Sequence, residues 1–159
     1  MKLEGATEEK RPSRRTYSDP KAKLAYVADD DVEMRELVRK LLCRAGYRVV
    51  ALPTGGALVE NLSATALGSE RPALLVTDLR MPGYTGIEII QGIRDFGWNI
   101  PIILITAFAE PEVLEHARSL GPTYVLEKPF DPYALLELVK SLEAESQACT
   151  PVRAHAPRR

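Results

Sequence analysis

The sequence predicts an α/β protein built on a parallel sheet of five strands with helices on both faces. Short apolar runs alternate five times with segments whose apolar residues recur at every third or fourth position, which is typical of strand–helix units. Two of the runs, ALLV at 73–76 and IPIILI at 100–105, are almost wholly apolar, as strands buried on both faces are. The length of 159 residues favours one domain.

Five strands and five helices are predicted in alternation. The strands are KLAYVA (23–28), YRVVAL (47–52), ALLVT (73–77), IPIILIT (100–106) and TYVLE (123–127). The first helix ends at Gly46 and has apolar residues at helical spacing: Met34, Leu37, Val38, Leu41 and Ala45. The second, at about 54–67, has a weaker helical pattern, and the third and fourth are GIEIIQGIRDF (86–96) and PEVLEHARSLG (111–121). The fifth has Asp131 as N-cap and Pro132 at its first position, with an apolar stripe of Leu135, Leu138, Val139 and Leu142.

The two ends of the chain differ from its middle. Residues 1–22 and 144–159 are polar and lack apolar periodicity, so both are predicted to be disordered around a folded domain at 23–143. Residues 1–22 carry six Lys or Arg and four Asp or Glu, and residues 143–159 carry three and two, so the segment between them has net charge −4 within a total of −1. This acidic middle argues against a nucleic-acid-binding surface, which needs a basic patch.

The cysteines and the apolar runs indicate a cytoplasmic protein. Cys43 and Cys149 are far apart and form no metal-binding or disulfide pattern, which fits a reducing compartment. No apolar run approaches the length that spans a membrane, and the N-terminus lacks the apolar middle of a signal peptide. No membrane association is expected.

Charged and hydroxyl side chains follow the predicted strands. In a parallel α/β sheet, ligands bind at the edge where the carboxyl ends of the strands meet. The residues there follow the first, third, fourth and fifth strands: Asp29, Asp30 and Asp31; Asp78; Thr106; and Lys128. We expect these side chains to converge on one site.

A cluster of carboxylates is unfavourable by itself. Two carboxylates about 4 Å apart repel by roughly 4 kcal/mol at an effective dielectric constant of about 20, and Lys128 offsets only part of this. Mg²⁺ prefers a few carboxylates together with water and phosphate oxygens. With a lysine and a threonine beside it, such a site is suited to phosphoryl transfer, and Asp78 is the predicted nucleophile that forms an aspartyl phosphate.

Four segments resemble, in order and spacing, the signature segments of the response-regulator receiver domain of two-component signalling: VADDDVEMRELV, VTDLRMPGYTGIEII, ILITA and EKPFDPYAL. The resemblance covers about residues 23–143. It implies a flavodoxin-like, doubly wound sheet with strand order 2-1-3-4-5. It also implies a phosphoryl donor, either a sensor histidine kinase or a histidine phosphotransfer protein, and no catalysis beyond the protein's own phosphorylation and dephosphorylation.

The resemblance assigns roles to the candidate residues by position. Asp78 matches the phosphoacceptor. Asp29 and Asp30 match the acidic pair that binds Mg²⁺, with Asp30 as the direct ligand, and Asp78 and the backbone carbonyl of Arg80 are the other protein ligands of the metal.

Two further residues match the switch elements of the family. Thr106 matches the switch hydroxyl and Lys128 the phosphate-binding lysine. The resemblance implies a cis peptide bond between Lys128 and Pro129. Asp31, by contrast, is interpreted as the N-cap of the first helix.

The chain departs from the family at the position three residues before Lys128. Many receivers have an aromatic residue there that moves together with the threonine, but this chain has Val125. Tyr124 stands one position earlier, and alternation along the strand places it on the opposite face. The usual coupling between the threonine and an aromatic ring is therefore not expected in its ordinary form.

Arg80 and Phe108 flank the site at two positions that tune phosphoryl lifetime in the family. They stand two residues after Asp78 and Thr106. The bulky Phe108 is predicted to shield the acyl phosphate and to lengthen its lifetime.

Output is predicted to pass to another protein. Only 16 residues follow position 143, too few for a DNA-binding or catalytic domain, so the chain is expected to act as a stand-alone response regulator. The expected responding surface, implied by the resemblance, is formed by the fourth helix, the fifth strand and the fifth helix. It could serve a downstream partner or a homodimer.

Three other classes of protein are weaker alternatives. An aspartyl-phosphate phosphatase would need a second acid two residues after its nucleophile, where this chain has Arg80. A nucleotide- or flavin-binding protein would need a Gly-, Ser- or Thr-rich loop after the first strand, where this chain has DDDVEMRE. A scaffold with a receiver fold that works without phosphorylation stays open because of Val125.

Overall fold

The computed structural model describes residues 21–148 of the chain. Five strands alternate with five helices along it. In chain order they are β1 (Leu24–Ala28), α1 (Val32–Arg44), β2 (Arg48–Leu52), α2 (Gly55–Leu67), β3 (Leu74–Asp78), α3 (Gly86–Asp95), β4 (Ile102–Thr106), α4 (Pro111–Ser119), β5 (Thr123–Glu127) and α5 (Pro132–Ala148).

The strands form one parallel sheet in the order β2-β1-β3-β4-β5. The predicted flavodoxin-like fold and its strand order are therefore confirmed. Because all strands run in the same direction, their carboxyl ends share one edge of the sheet. The register aligns Ala28 with Thr77, Asp78 with Ile105 and Thr106 with the end of β5.

Two apolar layers enclose the sheet, one on each face. Along β4 the side chains alternate between them, with Ile102 and Leu104 in one layer and Ile103 and Ile105 in the other. Residues from α2, α3 and α4 complete the first layer, and residues from α1 and α5 complete the second. All five residues of β4 are buried, as the continuous apolar run predicts.

Most element boundaries differ from the prediction by one or two residues, and two of the differences have a clear physical cause. β4 begins at Ile102 rather than at residue 100, because Pro101 has no N–H to give to a neighbouring strand. α5 continues to Ala148, past the predicted end of the domain at 143, because EAESQA contains no helix-breaking residue. The rest of the predicted tails, residues 1–20 and 149–159, lies outside the described residues.

The predicted helix ends follow local chemistry. The side chain of Asp31 accepts from the N–H of Met34 and caps α1. Gly46 and Gly121 follow α1 and α4 with φ of 95° and 115°, a conformation that glycine adopts without strain. The capping box of Thr85 and Glu88 at the start of α3 was missed in the sequence, although its T-x-x-E spacing signals it.

Three single residues outside the site have clear environments in the structure. Trp98 is buried and His116 is exposed. Cys43 is a free thiol, whereas Cys149 and His155 lie outside the described residues. Between residues 21 and 148, no helix combines the length and the apolar character needed to cross a membrane.

Candidate functional site

Three residues from three strand ends meet at the carboxyl edge of the sheet. The Nζ atom of Lys128 lies 3.0 Å from Oδ2 of Asp78 and 3.2 Å from Oδ2 of Asp29. Asp29 follows β1, Asp78 ends β3 and Lys128 follows β5. Residues up to 99 positions apart thus converge as the sequence predicts, and the peptide bond between Lys128 and Pro129 is cis.

The acidic residues form a group that fits a divalent cation. Asp29, Asp30 and Asp78 each offer one carboxylate oxygen, and these oxygens all lie within 4.8 Å of one another. Asp29 is buried and Asp30 is exposed, so the group opens to solvent on one side. Three carboxylates that leave room for water and phosphate oxygens match the preference of Mg²⁺.

Burial and charge act in opposite directions on the groups of this site. Desolvation raises the pKa of Asp29 above its ordinary value of 3.8, although the N–H of Asp31 and the charge of Lys128 oppose the shift. Desolvation alone would lower the pKa of Lys128, but its hydrogen bond to Asp78 and the charge of Asp29 together raise that pKa above 10.5. The lysine is therefore held as a cation between the two carboxylates.

Backbone groups fix the two buried carboxylates. The N–H of Asp31 donates to Oδ1 of Asp29 at 2.9 Å, and the N–H of Arg80 donates to Oδ1 of Asp78 at 3.1 Å. α3 packs against the end of β3 because Gly86 has no side chain: a Cβ there would lie 2.9 Å from the carbonyl oxygen of Asp78. Asp78 is therefore held at two points: the N–H of Arg80 contacts its carboxylate, and Gly86 packs against its backbone carbonyl.

Thr106 is fully buried at the end of β4. Its hydroxyl donates to the carbonyl of Phe108 and accepts from the N–H of the same residue, both at 3.1 Å. The hydroxyl group is thus engaged with the β4–α4 loop, and any reorientation of it would break two bonds to that loop.

A bridge of three side chains joins the loops after β3 and β4. The guanidinium of Arg80 donates to Oε1 of Glu110 at 2.6 Å, and its Cζ atom lies 5.2 Å from the centroid of the Phe108 ring. Glu110 is the residue immediately before α4 and makes no capping hydrogen bond there. Arg80 and Phe108 were predicted from the sequence to flank the site. Glu110 was not predicted, because a single acidic residue in a loop belongs to no recognisable sequence pattern.

The departure at Val125 has the predicted geometry. Tyr124 packs in the layer under α1 and α5, and Val125 packs in the layer under α2, α3 and α4. The Tyr124 hydroxyl points to Glu145 at 3.5 Å. The only aromatic residue of β5 therefore lies on the face of the sheet opposite to that of Val125.

The sequence profile of the response regulator receiver domain matches residues 25–140. The chain therefore belongs to the response regulator receiver domain family, whose members take part in two-component signalling and accept a phosphoryl group on an aspartate. Receiver domains generally bind Mg²⁺ in an acidic pocket and receive the phosphoryl group from histidine kinases or phosphotransfer proteins.

Individual relatives agree with this assignment. The transcriptional regulatory protein FixJ of Bradyrhizobium diazoefficiens is 32% identical over 73% of this chain and 54% of its own length. Sporulation initiation phosphotransferase F of Bacillus subtilis is 28% identical over 72% of this chain and 88% of its own length. The chain spans about half of FixJ and a smaller share of the other transcriptional regulators it resembles.

A solved structure matches the fold. The chemotaxis response regulator CheY4 of Vibrio cholerae superposes with a TM-score of 0.65 at 26% identity, and the match covers 76% of this chain and 98% of CheY4. The similarity extends over almost the whole of that receiver.

Proposed function

We propose that this protein is a response regulator that accepts a phosphoryl group on Asp78 and signals through the resulting change of conformation. The observation that carries the proposal is the contact of Lys128 with both Asp29 and Asp78 at the sheet edge. A carboxylate held next to an ammonium group and two further carboxylates is suited to attack phosphorus and to stabilise the product.

The transfer needs a phosphohistidine or a small acyl phosphate as donor. A carboxylate oxygen of Asp78 attacks the phosphorus, the new O–P bond forms, and the bond from phosphorus to the donor nitrogen or oxygen breaks. The electron pair of that bond stays on the donor atom. Hydrolysis of the aspartyl phosphate ends the signal. Water attacks the phosphorus, the O–P bond to Asp78 breaks, and the carboxylate is restored with inorganic phosphate as product.

Asp29, Asp30, Asp78 and the backbone carbonyl of Arg80 are the residues that would hold Mg²⁺. The bound ion would neutralise charge on the phosphoryl oxygens. Lys128 would contact the phosphoryl group, and the hydroxyl of Thr106 would donate a hydrogen bond to one of its oxygens. The phosphoryl donor would be a sensor histidine kinase or a histidine phosphotransfer protein.

The signal would leave the site through the β4–α4 loop. When the hydroxyl of Thr106 turns to the phosphoryl group, its two bonds to Phe108 are lost. Phe108 and Arg80 touch each other, and Arg80 holds Glu110 at the start of α4. This path would connect the site with α4 without an aromatic residue at position 125. The predicted stand-alone organisation, and a homodimer through α4, β5 and α5, stay predictions.

The decisive experiment is phosphorylation in vitro. The purified chain is incubated with acetyl phosphate and Mg²⁺, and the intact mass is measured for the wild type and for Asp78→Ala. We expect one phosphoryl group on the wild type, none on the variant, and none on the wild type when EDTA replaces Mg²⁺. Equal incorporation into Asp78→Ala would refute the proposal, and no incorporation into either protein would favour the phosphorylation-independent scaffold.

Replacing Phe108 tests the predicted shield. Phe108 is exposed and its ring covers the guanidinium of Arg80, so Phe108→Ala should open the mouth of the site to water. We expect the half-life of the phosphorylated form to shorten several-fold when it is followed by intact mass after removal of the donor. An unchanged or longer half-life would show that the ring does not shield the acyl phosphate.

Replacing Glu110 tests the path to α4. Glu110→Gln removes the ion pair with Arg80, which is solvent-exposed and so worth only about 0–1 kcal/mol. We expect the amide of Leu114, which donates to the carbonyl of Glu110 in the first turn of α4, to exchange up to about five times faster in the unphosphorylated variant, and phosphorylation to add little more. Glu112→Gln, a matched loss of charge in the same turn, should behave as the wild type does. Equal exchange in both variants would exclude this path.

A further inference from the structure

An apolar groove lies between α2 and α3. Its volume is about 290 Å³. The walls are aliphatic, formed by Val59, Leu62 and Ala66 from α2 and by Ile89 and Ile93 from α3. We call this feature the α2–α3 groove. It is separate from the site around Asp78 and from the face formed by α4, β5 and α5.

Aromatic residues close both ends of the α2–α3 groove. Tyr84 lies at the end where both helices begin, against Gly55. Phe96 and Trp98 lie at the other end in an edge-to-face contact, and the guanidinium of Arg71 stands over the Trp98 ring. Tyr84 and Phe96 are 43% and 65% exposed, so large apolar surfaces border the opening. Exposed aromatic surface of this kind is typical of interaction sites.

Two polar side chains that line the groove already have hydrogen-bond partners. The hydroxyl of Ser63 donates to the carbonyl of Val59 at 2.8 Å, and Oε2 of Glu88 accepts from the N–H and the hydroxyl of Thr85. A polar small molecule would therefore find few partners here. The volume also lies just below the range of roughly 300–1,000 Å³ for small-molecule pockets. Apolar side chains of a protein partner fit the groove better.

Gly92 keeps the groove open. It lies within α3, and apart from its chain neighbours and the nearby backbone of that helix, nothing lies within 4 Å of the position its Cβ would take. Glycine is among the least favourable residues inside a helix, so its presence here has no local benefit. A larger side chain at this position would extend into the groove.

Acidic residues outnumber basic ones on the helices of the groove. Glu88 lines the groove, Glu60 and Asp95 are exposed on the same two helices, and the cation of Arg71 stands at one end. The one basic residue of these helices, Arg94, directs its guanidinium to four backbone carbonyls of the neighbouring loops. The groove therefore presents an apolar floor with negative charge beside it.

We propose that the α2–α3 groove binds an amphipathic helix of a partner protein. The helix would place aliphatic anchors at positions i, i+3 or i+4, and i+7 into the groove. Lysine or arginine residues beside the anchors would face Glu60, Glu88 and Asp95, and their charge complementarity would set the specificity.

The single tryptophan of the chain makes the test direct, because Trp98 lines the groove. The probe is a synthetic 14-residue amidated peptide with leucine at positions 3, 6, 7, 10 and 14, alanine at 1, 4, 8 and 11, and lysine elsewhere. A control peptide has glutamate in place of every lysine. We expect the lysine peptide to change the Trp98 fluorescence saturably and to bind at least about tenfold more tightly than the glutamate peptide at low salt.

Two variants locate the binding. Gly92→Leu and Gly92→Gln both fill the groove and should weaken binding of the lysine peptide at least about tenfold, with thermal unfolding at or above the wild-type temperature. Ala64→Leu adds the same side chain at an exposed position of α2 that does not line the groove, and it should bind as the wild type does. Equal binding of both peptides, or wild-type binding by both Gly92 variants, would overturn the proposal.

Two further measurements test whether the groove is instead filled by a second copy of the chain or by the chain's own C-terminal residues. If the wild type sediments as a dimer and Gly92→Leu as a monomer, the groove belongs to a second copy and the proposal is wrong. If removing residues 149–159 strengthens peptide binding more than tenfold, the groove belongs to the chain's own terminus, and the proposal is wrong in that case too.

Discussion

Lys128→Met is expected to lower the free energy of unfolding of the metal-free protein by about 3 kcal/mol at neutral pH. The ammonium of Lys128 contacts Asp29 and Asp78, whose side chains are only 4% and 12% exposed. Methionine keeps the length of the side chain but leaves two carboxylates close together without their cation. Because Lys128 itself is 19% exposed, the expected loss is at the lower end of that for buried ion pairs.

The deficit should depend on pH in a defined direction. Burial raises the pKa of Asp29 above 3.8 even with Lys128 present, and loss of the lysine should raise it further. A folded-state pKa above the unfolded value means that the folded protein binds this proton more tightly, so ionisation of Asp29 destabilises the fold as pH rises. The deficit should therefore be largest above the raised pKa of Asp29 and should shrink as pH falls through it.

The difference in the free energy of unfolding between the wild type and Lys128→Met should also disappear at high pH. The pKa of Lys128 lies above 10.5 in the folded protein, so its contribution to stability is complete below about 10.5 and is lost as pH rises through the raised value. Urea unfolding of the wild type and of Lys128→Met between pH 4 and pH 11 in EDTA would reveal both limits.

Mg²⁺ and a second lysine provide the controls. Millimolar Mg²⁺ should recover part of the stability of Lys128→Met, because an ion that binds the folded state alone stabilises it. Lys140→Met removes an ion pair with Glu137 whose side chains are 68% and 73% exposed, so it should cost less than about 1 kcal/mol. If Lys128→Met and Lys140→Met are equally stable in EDTA, Lys128 does not offset the carboxylate repulsion.

Arg94→Met is expected to reduce the free energy of unfolding by about 3 kcal/mol at neutral pH. Arg94 lies at the end of α3, and its guanidinium donates to the carbonyls of Trp98, Ile100, Leu120 and Pro122 at 2.7–3.1 Å. Burial lowers the pKa of this group. The substitution would leave several carbonyl oxygens without a donor.

Arg94 joins the loops that precede β4 and β5. A Cβ at Gly121 would lie 2.8 Å from Nε of Arg94, so the glycine allows the guanidinium to reach its partners. Arg94→Lys should recover less than half of the lost stability, because an ammonium group cannot reach acceptors in this fork arrangement.

The matched control for Arg94 is Arg118→Met. Arg118 is an exposed arginine in the last turn of α4, and its loss should change the free energy of unfolding by less than about 0.5 kcal/mol. Urea unfolding of the three variants would decide the matter. A difference below about 1 kcal/mol between Arg94→Met and Arg118→Met would contradict the assigned role of Arg94.

The candidate site was largely predictable from the sequence, but its surroundings were not. Asp29, Asp78 and Lys128 follow apolar strands, and parallel strands bring their carboxyl ends to one edge, so their convergence followed from local pattern alone. Glu110 and Arg94 act through contacts with residues 26 to 30 positions away. An isolated acid in a loop and an isolated arginine at a helix end carry no periodic signal, so no local pattern could identify these contacts.

The sequence by itself determined the order of strands and helices, the cap of α1, and the opposite faces of Tyr124 and Val125, because periodicity and capping depend on neighbours along the chain. Only the tertiary structure decided that Arg80 joins Glu110 and that Gly92 leaves a groove open between α2 and α3. These features depend on distances between segments that packing brings together, and packing is set by the whole chain at once.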